Sequence, residues 1–272
     1  MKKRIFLIAL ALILCLVSLA GCKNAPDLDG VREKMKYIIH GSGQLDGVGL
    51  YGDPMVFTVS NSAEGLAKCA EIAAPVIELD FSFTADRHLV CIHDWYHQYA
   101  DEIENDVALT YDEFMKVRIY RNFTPLAIEN VIDYLREHEG TYIVTDIKDD
   151  NIGGLSVIAE MCPDMLDRFV VQIYSADEYT PVRDLGFNQI IYTLYRLTWN
   201  EKTDTAALAE FAKSHPLVGY TFAAELCDLD GYVENMKKAG VPLFVHTIDG
   251  DEEQQKYFDM GIDGIYTNEV KK

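Results

Sequence analysis

Cysteine is scarce in the body of this 272-residue chain. Beyond Cys15 and Cys22 only Cys69, Cys91, Cys162 and Cys227 follow, none in a C-x-x-C spacing, which argues against a zinc site. Cys69 and Cys91 sit among apolar neighbours and read as small buried hydrophobes. Basic residues are also few: 24 Lys and Arg against 44 Asp and Glu, a formal charge of −20. So acidic a surface disfavours nucleic acid as a partner and adhesion to anionic lipid through the protein surface, and leaves metal cations and small substrates. No protein partner is implied. Several catalytic and binding signatures are missing. Gly41-x-Gly43 followed by Gly47 is not a dinucleotide fingerprint, and there is no G-x-S-x-G and no H-E-x-x-H. Asp249-x-Asp251-x-Glu253 lacks the glycine of a calcium loop and reads as the solvated start of a helix. Internal repeats, low-complexity tracts and a second-domain linker are absent too, which leaves a single folded unit.

The amino-terminal 21 residues read as a leader. Lys2, Lys3 and Arg4 precede the apolar run Ile5 to Val17, and Leu19-Ala20-Gly21 stands just before Cys22. The Leu-Ala-Gly-Cys tetrad resembles the lipobox of bacterial lipoproteins, which implies acylation of Cys22 and a lipid anchor on the extracellular or periplasmic face of the cell membrane. Residues 22–35 are polar and are expected to form a tether, with the folded domain over 36–272.

From Met35 onward, strand-like and helix-like segments alternate. Strands are expected at 37–40, 76–84, 89–93, 142–148, 169–174, 189–195, 217–222, 243–248 and 264–267, with helices between most of them. The Gly-rich stretch 44–60 and the polar, aromatic stretch 95–123 interrupt the alternation. Ser62 is placed to cap a helix over 63–73. About eight strands interleaved with helices predict an α/β fold, a (β/α)8 TIM barrel in one domain; a doubly wound open sheet is the structural competitor.

The chemistry concentrates in Val76 to Asp94, V-I-E-L-D-F-S-F-T-A-D-R-H-L-V-C-I-H-D. Strand alternation puts Val76, Glu78, Asp80 and Ser82 on one face and Ile77, Leu79, Phe81 and Phe83 on the other. Two carboxylates about 4 Å apart repel by roughly 4 kcal/mol at an effective dielectric near 20, so a half-buried Glu/Asp pair needs a cation or a shared proton. Barrel active sites lie at the carboxyl ends of strands. The polar residues expected there are His40, Glu78 and Asp80, Asp146 and Lys148, Gln172 and Tyr174, and His246. Carboxylates, histidines and a lysine in one cleft suit metal-assisted phosphate chemistry, with hard oxygen ligands for Mg²⁺ or Ca²⁺ and imidazoles to move protons.

The order His40-Gly41, Asn61-Ser62, Glu78-x-Asp80, His93-Asp94, Asp146-x-Lys148 and the closing G-I-D-G-I-Y-T-N resembles the glycerophosphodiester phosphodiesterase family, whose superfamily also holds phosphatidylinositol-specific phospholipases C. The resemblance runs from about Tyr37 to Asn268. It implies a (β/α)8 barrel, one divalent cation (Ca²⁺ or Mg²⁺), and a small-molecule or lipid phosphodiester as substrate. It makes His40 and His93 the acid/base pair and Glu78, Asp80 and Asp146 the metal ligands. Lys148 matches a lysine that contacts the phosphate; Gln172, Tyr174 and His246, placed at strand ends, are the further substrate-binding candidates. Three departures stand out. Gly41 replaces the arginine of the family's His-Arg-Gly, Asp146 stands where Glu is usual, and His246 where Trp is common. Two functions are compatible with this pattern: a metal-dependent phosphoric diester hydrolase, and a catalytically impaired surface lipoprotein that binds phosphodiesters or sugars in the same cleft.

Overall fold

The computed structural model describes residues 27–271. The leader and Cys22 lie outside the described residues. Eight parallel strands close on themselves: β1 (Tyr37–Ile39), β2 (Val76–Phe83), β3 (Tyr142–Ile147), β4 (Phe169–Ile173), β5 (Ile190–Thr193), β6 (Gly219–Ala223), β7 (Leu243–His246) and β8 (Gly264–Thr267). Each pairs with the next, and β1 pairs with both β8 and β2, which completes the ring. Helices α1 (Ala63–Glu71), α2 (Ile128–Glu137), α3 (Asn151–Met161), α4 (Tyr179–Asp184), α5 (Thr205–Ser214), α6 (Tyr232–Met236) and α7 (Asp251–Met260) occupy the crossovers. The expected (β/α)8 barrel is therefore the fold. Ser62 caps α1 as expected, accepting from the Gly65 N–H.

The strands are legible residue by residue. All eight residues of β2 are buried. Its odd-numbered residues Ile77, Leu79, Phe81 and Phe83 belong to the apolar layer between strands and helices. Its even-numbered residues face the barrel interior. There a second apolar layer, Ile38, Val76, Val144, Val170, Ile191, Val218 and Phe244, fills the amino-terminal half. Two residues further along, on β1, β2, β3, β4, β5 and β7, the inward positions turn polar: His40, Glu78, Asp146, Gln172, Thr193 and His246. A period of two converts that switch along the sequence into a polar floor at the carboxyl-terminal mouth.

Three stretches differ from expectation. Leu28 to Met35, expected as tether, is packed instead. Asp29–Arg32 forms one helical turn, and Leu28, Val31 and Met35 close the base of the barrel. Their i, i+3, i+7 spacing is helical, a signal diluted by the charged residues between them. Arg32 fixes this plug by donating to the carbonyls of Leu217 (2.6 Å) and Val218 (3.2 Å). The segment Leu89–Cys91 is a strand, but it runs antiparallel to the end of β2 (Ser82 opposite Val90, Phe83 opposite Leu89) and lies outside the barrel ring. Its own partner is Leu126–Ala127, which precedes α2. Residues 44–60 contain an antiparallel hairpin, Leu45–Val48 with Pro54–Phe57. This hairpin and the 95–123 excursion share a separate apolar cluster that includes Leu45, Trp95, Tyr99, Phe114 and Phe123. The four cysteines of the body are buried free thiols. Among the described residues no helix is long and apolar enough to cross a membrane.

Candidate active site

The site is assembled from adjacent strands in register. Asp80 of β2 stands directly beside Asp146 of β3, and Glu78 lies one inward position deeper. Ligand oxygens from Glu78, Asp80 and Asp146 all fall within 4.8 Å of one another. Each is buried, and each has a different support. Glu78 Oε2 accepts from the Gly41 backbone N–H (2.7 Å). Asp80 is clasped by Asn61, whose Nδ2 donates to Oδ2 (2.9 Å) while its Oδ1 accepts from the Asp80 N–H (3.0 Å). Asp146 Oδ1 accepts from the hydroxyls of Tyr174 and Tyr195, the latter at 3.0 Å. The Lys148 ammonium lies between two of the carboxylates, 2.6 Å from Asp80 Oδ1 and 2.8 Å from Asp146 Oδ2.

The electrostatics of this cluster fit a bound divalent cation. Burial pushes Glu78 well above the usual carboxylate range, and the charges of Asp80 and Asp146 push it further. Burial works against an ionised Asp80 as well, but Lys148, His93 and His40 outweigh it and hold Asp80 below its ordinary value. Lys148 is likewise held ionised by Asp80 and Asp146 against the cost of its burial. With all three carboxylates ionised, the one ammonium would leave two negative charges uncompensated in a buried space, and the upward push on Glu78 is the cost of that charge in the absence of a cation. That is the deficit a divalent ion fills, with hard oxygen donors of the kind Ca²⁺ and Mg²⁺ prefer.

Both candidate acid/base histidines sit at this mouth, and each has one nitrogen committed. His93 follows the antiparallel return of Leu89–Cys91, which turns it back toward the top of β2. Its Nδ1 lies 2.7 Å from Asp94 Oδ2, and its ring stacks on Tyr99 at 6.3 Å between centroids. His40 ends β1, with Nδ1 2.9 Å from Asn268 Oδ1. The amide of Asn268 is oriented in turn by Asp249, which accepts from Asn268 Nδ2 (2.7 Å), from the Asn268 N–H (2.7 Å) and from Thr267 Oγ1 (2.8 Å). A carboxylate only accepts, so Asn268 must aim its oxygen at His40. His40 then carries its proton on Nδ1 and leaves the Nε2 lone pair free. Asp249, expected as a solvated helix start, is thus a positioning residue two bonds from His40. Burial opposes its charge, and the Asn268 and Thr267 bonds more than compensate, holding it below the ordinary value.

Between these groups lies a polar cavity of about 50 Å³ lined by His40, Glu78, Asp146, Gln172, Thr193, Tyr195, Thr221, His246 and Tyr266. Gln172 and His246 are at the expected place. Gln172 accepts from Thr193 through Oε1. Among the described residues His246 Nε2 is buried with no hydrogen-bond partner, so it awaits one in the cavity; Thr221 Oγ1 and Tyr266 OH are buried beside each other with no other polar partner. Tyr174 stands apart from these two. Its hydroxyl is spent on Asp146, and it stands behind that carboxylate, outside the cavity lining. Lys148, expected at the phosphate, is pinned between Asp80 and Asp146 instead. Asn61, Asp249, Thr193, Tyr195, Arg196, Thr221, Tyr266 and Asn268 escaped the sequence reading as site residues. Continuing the i, i+2 parity of Ile191 along β5 and one step past its end finds Thr193 and Tyr195.

Gly41 shows why a long side chain is missing after His40. Its φ is +53°, and a Cβ there would lie 2.5 Å from Val59 Cα. Val59 itself adopts φ +56°, a conformation rare for a β-branched residue. Backbone strain of this kind costs on the order of 1–3 kcal/mol and gathers at functional sites.

His246 has a consequence for stability. Burial, helped by nearby His40, pushes its imidazole down to about 4, against about 6.5 in an unfolded chain. The unfolded state therefore takes up a proton below pH 6.5 that the folded state refuses until pH 4. Stability is full above pH 6.5 and falls through that window, by on the order of 3 kcal/mol. His246→Gln removes the titrating group. Urea unfolding of wild type and variant between pH 7.5 and 4 should show a flatter profile for the variant; equal slopes would contradict the assignment.

Residues 51–272 match the model of the glycerophosphoryl diester phosphodiesterase family. A glycerophosphodiester phosphodiesterase from Caldanaerobacter subterraneus subsp. tengcongensis is 23% identical over 229 residues, covering 77% of this chain and 88% of the relative. Among solved structures, the glycerophosphodiester phosphodiesterase of Thermotoga maritima superimposes with a TM-score of 0.65 at 17% identity, over 87% of this chain and 95% of that one. A phosphodiesterase of Oleispira antarctica, solved with the product sn-glycerol-3-phosphate, superimposes with a TM-score of 0.64 at 13% identity, over 88% and 95%. The barrel carries a carboxylate triad fit for a metal ion, and the family match covers most of the sequence: the chain belongs to the glycerophosphoryl diester phosphodiesterase family.

Proposed function

We propose that this protein hydrolyses glycerophosphodiesters to glycerol 3-phosphate and a free alcohol, with one Ca²⁺ or Mg²⁺ ion held by Glu78, Asp80 and Asp146. The observation that carries the reading is the carboxylate triad, its oxygens within 4.8 Å, at a mouth where two imidazoles each keep Nε2 free. A bound divalent ion would polarise a phosphoryl oxygen and offset developing negative charge. His40 is suited to the base: its partner is a neutral amide, and its Nε2 presents a lone pair. It takes the proton of the glycerol hydroxyl next to the diester as that oxygen bonds to phosphorus. His93 is suited to the acid, because the Asp94 carboxylate compensates the charge of an imidazolium. It gives its proton to the alcohol oxygen as the second P–O bond breaks. Water then opens the cyclic phosphate with the two roles reversed. The test is release of glycerol 3-phosphate from glycerophosphocholine, with and without Ca²⁺ or Mg²⁺. Binding without turnover under any divalent ion would instead support a phosphodiester-binding lipoprotein.

The anchor proposed at Cys22 bears on the substrate. Leu28, Val31 and Met35 pack beneath the amino ends of the strands, so the chain leaves the barrel on the face opposite the mouth. Lys23 to Asp27 lie between Cys22 and Leu28. At no more than about 3.6 Å per residue, the chain between Leu28 and an anchor at Cys22 would span at most roughly 20 Å. A mouth pointing away from the bilayer favours a water-soluble diester over an intact phospholipid. The membrane-bound protein is therefore expected to turn over glycerophosphoinositol at least ~10-fold faster than vesicular phosphatidylinositol, an estimate resting on how far the anchor restricts reach. The reverse preference would overturn this orientation.

A further inference from the structure

Arg196 follows β5, one residue after the cavity-lining Tyr195 and 3.9 Å from Asp146, and its role is not exhausted by the contacts it makes. Nε donates to the Tyr195 hydroxyl (3.2 Å), and one terminal nitrogen, Nη2, donates to the carbonyls of Ile147 (2.9 Å) and Lys148 (3.2 Å). The guanidinium lies 3.6 Å from the centre of the Tyr174 ring. These contacts fix its plane beside the carboxylate cluster. Its approach to Asp146 Oδ1 is 3.9 Å, too long for a hydrogen bond. Nη1 has no hydrogen bond among the described residues, and the side chain is 29% exposed.

The other cation paired with the cluster is differently placed. Lys148 is consumed by Asp80 and Asp146 at 2.6 and 2.8 Å. With the three carboxylates offset by Lys148 and the proposed ion, Lys148 has no charge to spare for an entering diester anion, and Arg196 is the guanidinium beside the cluster with a donor left over. The position after His40 offers no alternative, because Val59 closes it to any Cβ.

We propose that Arg196 binds the phosphoryl group of the substrate, with Nη1 donating to a non-bridging phosphate oxygen. Its stacked, triply tethered guanidinium is organised before the anion arrives, so little freedom is lost on binding. The assignment rests on the diester-hydrolase reading above, but its test separates the two. Arg196→Met and Arg196→Lys are compared with wild type in three measurements: KM and kcat for glycerophosphocholine, affinity for glycerol 3-phosphate by titration calorimetry, and thermal unfolding. Arg196→Met should raise KM and weaken glycerol 3-phosphate binding by about 10–100-fold, the range for a lost hydrogen bond to a charged group. Arg196→Lys should fall between, since an ammonium cannot keep both the carbonyl contacts and the phosphate contact. Added guanidinium ion should restore part of the loss in Arg196→Met and do nothing for wild type.

Unchanged KM and unchanged glycerol 3-phosphate affinity in Arg196→Met would overturn the proposal. So would a lowered unfolding temperature with neither changed, which would leave Arg196 as a pin for its loop. If wild type binds glycerol 3-phosphate without turning over any diester, the hydrolase reading fails, and the affinity comparison still decides the role of Arg196. If wild type does not bind glycerol 3-phosphate, both fall.

Discussion

Replacing His93 with alanine is expected to lower kcat by about 10²–10⁴-fold, the range for losing a positioned acid/base group, while the protein unfolds at nearly the same temperature. The imidazole is half-exposed, its side chain 41% accessible, and among the described residues its one hydrogen-bond partner is the adjacent Asp94. Removing it opens no core cavity and strands no buried donor, so a large effect on rate with little effect on stability identifies a chemical role. The leaving group sharpens the test. A p-nitrophenyl diester expels an anion that needs no proton, so His93→Ala should lose far less rate with it than with glycerophosphocholine. Equal losses on both substrates would remove His93 from the acid role. His40→Ala should lose rate on both, because the attacking hydroxyl needs its base whichever alcohol departs.

The second large effect is at Glu78. Glu78→Gln should abolish divalent-dependent turnover, lowering kcat/KM by about 10³-fold or more if the ion supplies the several kcal/mol usual for such catalysis, yet make the metal-free protein more stable. Glu78 is fully buried, and burial together with Asp80 and Asp146 opposes its charge. Its counterweights inside the protein are the Lys148 ammonium and the Gly41 N–H at 2.7 Å, the latter a bond that the glutamine oxygen retains. Neutralising the side chain removes repulsion without a cavity, so the metal-free variant should unfold about 2–6 °C higher, at the few degrees per kcal/mol expected of a domain this size. Ca²⁺ or Mg²⁺ at 100 times its dissociation constant should stabilise wild type by about 2.7 kcal/mol and leave Glu78→Gln unmoved. A destabilised variant, or one that keeps the ion-dependent shift, would show that Glu78 is not a ligand.

These two predictions rest on residues visible in the linear chain, because strand chemistry is local. Glu78 and Asp80 share a face by the period of two. The apolar residues between them demand that the other face be packed, and Asp146 repeats the pattern on the neighbouring strand. Other parts of the site escaped because their partners are distant in sequence. His40 meets Asn268 across 228 residues, and Asn61 reaches Asp80 from a loop. Tyr174 looked like a pocket residue by position alone, but competition for its hydroxyl by Asp146 turned it away. Leu28 to Met35 looked like a tether because charged residues hid a helical trio.

Strand-like and helix-like segments in alternation pointed to a parallel α/β fold, barrel or open sheet, and the period of two along single strands marked the polar inward positions and the acidic side chains that meet there, since each depends on the geometry of one segment and its immediate neighbours. Ring closure alone settled the rest: Asp249 orienting Asn268 and so the proton on His40, Lys148 drawn between two carboxylates, and Arg196 held beside the cluster with a donor to spare. Those outcomes are contests among charged and hydrogen-bonding groups from remote strands. Their winners are set by distances that exist only once the first strand has paired with the last.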